Sequence, residues 1–152
     1  MANSTAVAVS FKNELLQAYH NFGTTVTRAG TGADAFKAAL YLTTGSIGSG
    51  TTSYSATAEL TGTGYTAGGI AVTNATAPTT SGTTAYWTPS ANLAWTTLTS
   101  TGGAFDTVLI YNSTQGNRAV GSWNFGSQSV TASNFTITMP ANAAATALLQ
   151  LN

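Results

Sequence analysis

At 152 residues the chain has room for one domain with its own core and is too short for two ordinary ones. Hydrophobic residues make up 43% of it and charged residues only 5%, four Lys/Arg against four Asp/Glu, where a soluble domain carries about 25% charge. Lys12, Arg28, Lys37 and Arg118 are too few to build the cationic field that nucleic acid requires, and the absence of cysteine excludes disulfides and thiolate metal sites.

The opening, MANSTAVAVSFKNELL, lacks the basic stretch of a secretion signal, and no run of about 18 apolar residues follows anywhere. The expectation is a protein made in a cytoplasm, with neither a membrane nor a nucleic acid as partner. Phe11, Leu15, Ala18, Tyr19 and Phe22 then recur at three- and four-residue spacing, which predicts a helix over about 10–22, capped by Ser10 and stopped at Gly23. Its apolar stripe either packs on the domain's own sheet or reaches a neighbouring subunit.

Beyond Gly23 the period shortens to two. Phe36, Ala38, Leu40 and Leu42 alternate in one strand, and further strands are expected over 69–76, 83–88, 93–99, 105–112, 118–125 and 146–151. Phe135, Ile137 and Met139 alternate with threonines up to Pro140. Val108-Leu109-Ile110-Tyr111 is continuously apolar, so both faces of that strand should be covered. In TGTGYTAGG, Gly62, Gly64, Gly68 and Gly69 let the backbone turn tightly around Tyr65. Two segments, 43–53 and 76–82, look like long loops, either surface connections or arms reaching a neighbour. The pattern predicts a mostly β chain: one domain over 1–152, an antiparallel β-sandwich or jelly-roll-like fold with one N-terminal α-helix. Threonine suits it, being β-branched and able to keep an outer face wet without charge.

Catalytic chemistry has little to work with. His20 is the one histidine, and a relay through it would need Asp34 or Asp106; the pattern G-x-S-x-G is missing. A two-carboxylate site would draw on Glu14, Asp34, Glu59 and Asp106, which are far apart in sequence. Glu59 and Asp106 sit in apolar or glycine-rich surroundings and read better as structural hydrogen-bond acceptors. No enzyme, cofactor or metal is expected. The aromatic residues remain as binding candidates: Trp87 beside Tyr86, and Trp95, are either stacking platforms or core and interface anchors. With the helix positions, the candidate interface set is Phe11, Leu15, Tyr19, Phe22, Tyr86, Trp87 and Trp95.

FKNELLQAYHNF, AELTGTGYTAGGIAV, LIYNST followed by RAVGSWNFG, and the closing FTITMPANAAATALLQL together resemble a group of small virion structural proteins of tailed bacteriophages, capsid decoration (cement) or tail-fibre-like accessory proteins. The resemblance extends over nearly the whole chain, although a polar residue such as arginine often stands in the group where Phe105 or Asp106 stands here. It implies a non-enzymatic protein on the particle surface, made in the bacterial host. Its partners would be the major capsid protein and further copies of itself, as dimers or trimers, and it carries over no catalytic residues.

Overall fold

The computed structural model describes residues 3–8, 11, 15, 19–22, 33–82 and 84–151. Among them run ten strands: β1 (Ala6–Val7), β2 (Phe36–Leu42), β3 (Ile70–Ala71), β4 (Thr79–Ser81), β5 (Thr84–Trp87), β6 (Leu93–Leu98), β7 (Phe105–Asn112), β8 (Arg118–Gln128), β9 (Ser133–Ile137) and β10 (Leu149–Leu151). All pairings are antiparallel. One sheet has the order β1-β8-β7-β2-β3, a second β10-β5-β4, and a third pairs β6 with β9. The chain is mostly β, and the arrangement is consistent with a sandwich.

The register explains the layering. Phe36, Ala38 and Leu40 of β2 stand opposite Asn112, Ile110 and Val108 of β7, and Val108 and Ile110 stand opposite Trp123 and Gly121 of β8. Because side chains alternate, these positions share one face of the large sheet. The two smaller sheets cover it: Phe36 lies 6.2 Å from Trp87 of β5 between ring centres, and Leu93 and Ile137 line one small cavity with Val108, Ile110 and Trp123. The opposite face carries Tyr41, Leu109, Tyr111 and Ser122. Tyr54 stacks on Tyr111 there at 4.8 Å, and the backbone around it is bridged to the sheet, Ser53 to Arg118 and Glu59 to Tyr41. Val108 to Tyr111 are therefore all buried, as their unbroken apolar run requires.

Most of the anticipated helix at 10–22 lies outside the described residues; Phe11 and Leu15 within it are helical, whereas Tyr19 to Phe22 are irregular. Tertiary bonds hold these residues instead: the Asn21 N–H donates to Asp34 at 3.0 Å, and the Phe22 ring stacks on Phe36 at 4.8 Å. The segment 43–53 is bonded to its own chain at several points. Ser4 N–H donates to Ile47 C=O, Asn3 Oδ1 accepts from Ile47 N–H, and Ala119 N–H donates to Thr52 C=O. Finally, 76–82 is not wholly loop. Its Thr-Thr-Ser forms β4, unpredicted because a fully exposed strand leaves no apolar alternation to read.

Candidate functional site

Two side-chain constellations stand out, one apolar and one polar. The apolar one begins with Trp87, whose position in β5 turns its ring toward the large sheet. Its indole N–H donates to Asn74 Oδ1 at 2.9 Å and to Thr76 C=O at 3.0 Å, so the polar edge of the ring is satisfied while the rest is buried. Phe22 lies 4.6 Å from Trp87, and Phe11 packs edge-on against His20 and Phe22 at 4.8 and 5.8 Å. Beside this stack opens a groove of about 210 Å³, bounded also by Leu15, Tyr86, Leu149 and Leu151. Among the described residues, no carboxylate, lysine or arginine lines it. Such a surface suits an apolar side chain and offers little to a sugar or an anion.

Five of the seven interface candidates, Phe11, Leu15, Phe22, Tyr86 and Trp87, thus meet at one groove although they come from distant parts of the sequence. Tyr19 stands apart with the Arg118 guanidinium 4.4 Å above its ring. Trp95 does not reach the surface. It is 2% exposed and packs on Phe135, which in turn meets Phe105 and Phe125. Its place on β6, opposite Phe135 on β9, makes it a core residue of the third sheet. Trp87 is equally buried, so neither indole presents a face on which a glycan could stack. Leu149 and Leu151 were missed as groove residues because a short apolar run at a chain end reads equally well as simple core.

The polar constellation centres on Glu59, 6% exposed. One carboxylate oxygen accepts from Tyr65 Oη and Gly68 N–H, both at 2.7 Å, and the other from Tyr54 Oη at 2.6 Å. Tyr65 Oη also accepts from Leu40 N–H at 3.0 Å, and Tyr111 Oη donates to Gly68 C=O at 2.7 Å. The glycine-rich turn around Tyr65, expected from the sequence, exists to bring these donors onto one acid. Tyr41 completes the cluster, donating to Ser55 C=O at 2.6 Å.

Two other carboxylates act in the same way. Asp34 accepts from Asn21 N–H, Asn112 Nδ2 at 2.8 Å and Gln115 Nε2 at 3.2 Å. Asp106 accepts from Asn3 Nδ2 and Thr107 Oγ1, both at 2.8 Å. His20 lies near the first of these, its Nδ1 3.3 Å from Asn112 Nδ2. Each of these acids is held by hydrogen bonds from residues distant in sequence. Among the described residues, no three His, Cys, Asp or Glu side chains are placed to share a metal ion.

Burial raises the hydroxyl pKa of Tyr41, Tyr65 and Tyr111 above the usual tyrosine value, and the Glu59 charge adds to the effect. Burial and the bond to Glu59 push Tyr54 up to about 12. A folded-state pKa above the unfolded value of about 10 means that the native protein holds its protons more tightly. The stability from these groups is therefore complete below about pH 10 and lost as pH rises toward and beyond 12. In an alkaline titration, Tyr41, Tyr54, Tyr65 and Tyr111 should keep their protons until the protein unfolds. Phenolate absorbance and far-UV circular dichroism, followed together on the parent and on a Tyr54→Phe variant, check this; ionisation of Tyr54 near about pH 10 with unchanged dichroism would contradict it.

No family model matches the chain, and neither a curated protein nor a solved structure matches it.

Proposed function

We propose that this chain is a bacteriophage virion structural protein: a non-enzymatic capsid decoration protein that binds in many copies to the major capsid lattice and stabilises the head. In this reading it is a β-sandwich whose second layer is divided between β10-β5-β4 and β6-β9. It is made in the bacterial cytoplasm and ends on the particle surface, in contact with the major capsid protein and with copies of itself, without cofactor, membrane or nucleic acid.

The observation that carries the reading is where the few charges go. Asp34, Glu59 and Asp106, three of the four carboxylates, are engaged in hydrogen bonds within the chain. Among the described residues, those that are exposed are largely Thr, Ser, Asn, Gly and Ala. Such a surface has little charge repulsion to keep copies apart and suits contacts repeated across a lattice, where multivalency multiplies modest individual energies.

A place in the neck, collar or tail is the rival within the virion, and copy number separates the two. Quantitative mass spectrometry of purified particles should give a ratio to the major capsid protein near one or a simple fraction of it. A ratio corresponding to a dozen or so molecules per particle would move the protein to the neck or tail. The further alternative, a host-glycan adsorption module stacking sugars on Trp87 or Trp95, loses its platform because both rings are buried.

A further inference from the structure

We infer that two copies of this chain associate through β10, the Leu149–Leu151 strand, pairing edge to edge so that each copy's Leu151 covers the apolar groove of the other. The inference names the self-contact that the decoration role calls for; it takes only its biological setting from that role.

The first observation is the edge itself. In the order β10-β5-β4, β10 has a neighbour on one side only among the described residues. Alternate peptide groups of an edge strand point away from the sheet, a template for a further strand. Proteins that remain monomeric usually guard such edges with lysine, proline or a bulge. Here the edge reads Leu-Gln-Leu, with none of these.

The second observation is Leu151. It is 40% exposed, the one large hydrophobic residue so exposed among those described, and it stands on the rim of the groove lined by Tyr86, Trp87 and Leu149. An open strand edge, an exposed leucine and an uncharged apolar groove coincide at one place.

The third is self-complementarity, which selects a second copy as the occupant. An antiparallel pair of β10 strands about a two-fold axis at Gln150 sets Leu149 of each copy opposite Leu151 of the other. Leu149 and Leu151 share the groove face of the strand, so the exposed leucine of one copy lands beside the groove of its mate. Because neither β10 nor, among the described residues, the groove lining carries a carboxylate, lysine or arginine, the two-fold sets no like charges from these residues against each other, as a charged edge would. The result is one six-stranded sheet, β4-β5-β10 continued by β10-β5-β4 of the second copy. A three-residue ladder is short, so the leucine in the groove has to contribute much of the affinity, and Leu151 is the expected hot spot.

Sedimentation equilibrium of the purified chain from about 1 μM to about 1 mM covers moderate to weak association. The expected result is a monomer–dimer equilibrium that Leu151→Asp weakens by about tenfold or more. Thr80→Asp, on the opposite edge of the same sheet, should leave it unchanged. Hydrogen exchange of the unmodified protein guards against misfolded variants: the amides of 149–151 should become more protected as concentration rises. A monomer throughout the range, an association indifferent to Leu151→Asp, or 149–151 exchange independent of concentration while dimers form would overturn the inference. None of these outcomes bears on the virion copy number, which tests the role itself.

Discussion

Replacing Glu59 by alanine should destabilise the protein by about 3–5 kcal/mol, the range for removing one partner from a buried charged network. The carboxylate receives three donors, Tyr54 Oη, Tyr65 Oη and Gly68 N–H. Without it the donors are stranded in a site that water reaches poorly, each worth about 1–3 kcal/mol if nothing replaces its partner. Glu59→Gln should be milder, about 1–2 kcal/mol, if its amide oxygen keeps the Tyr65 and Gly68 bonds. Its NH2 would then face Tyr54, whose hydroxyl can reverse and accept. Urea denaturation measures both. The expected pattern is a lower midpoint for alanine than for glutamine, with hydrogen exchange accelerated over 54–69, the segment that Glu59 holds against the sheet. Equal stability of Glu59→Ala and the parent would mean that the tyrosine cluster does not anchor that segment.

Gly69→Ala should be at least as damaging, about 4 kcal/mol or more. Gly69 has a φ of +73°, and a methyl group there would lie 1.9 Å from Ala38 C=O and 2.7 Å from Ala39 Cα. Both obstacles are backbone of β2, which is fixed between β7 and β3 and buried on both faces. They cannot move aside as a flexible side chain would. Gly116→Ala is the matched control. Its φ of +63° is equally unfavourable for alanine, but nothing lies within 4 Å of the added methyl. That substitution should cost only the left-handed backbone term, about 1–2 kcal/mol. In a thermal melt, where 1 kcal/mol corresponds to about 2–4 °C for a chain of this size, Gly69→Ala should fall well below Gly116→Ala. Similar melting temperatures would show that β2 can yield at Ala38.

Both substitutions act on the part of the molecule that was only half legible in the sequence. The glycines around Tyr65 announced a tight turn, and Glu59 read as a structural acceptor, but nothing local indicated that Tyr41, Tyr54 and Tyr111 would gather around it. Tyr41 and Tyr111 reach the cluster through the β2–β7 register, which places Thr107 opposite Tyr41 and Lys37 opposite Tyr111 on the same face. Tyr54 arrives through the bonding of its backbone to Asn117. Such partners are long-range, and no short window of sequence contains them. The groove shows the same division. Its aromatic members were picked out as binding candidates by residue type, yet Trp95, chosen on the same grounds, proved to be core because its strand pairs with β9 rather than with β5.

By itself the sequence determined what depends on local pattern: a mostly β chain, alternation along β2, a β7 covered on both faces, and a turn at 62–69. Period-two burial and the positive φ of glycine are properties of neighbouring residues, so they survive without knowledge of the fold. Only the tertiary structure decided which sheets cover which face, that 43–53 bonds to Asn3, Ser4 and Ala119, that Asn21 meets Asp34, and that β10 is an edge strand among the described residues. Each depends on strand pairing between residues dozens of positions apart, whose energy comes from packing and hydrogen bonds made only once the chain has closed on itself.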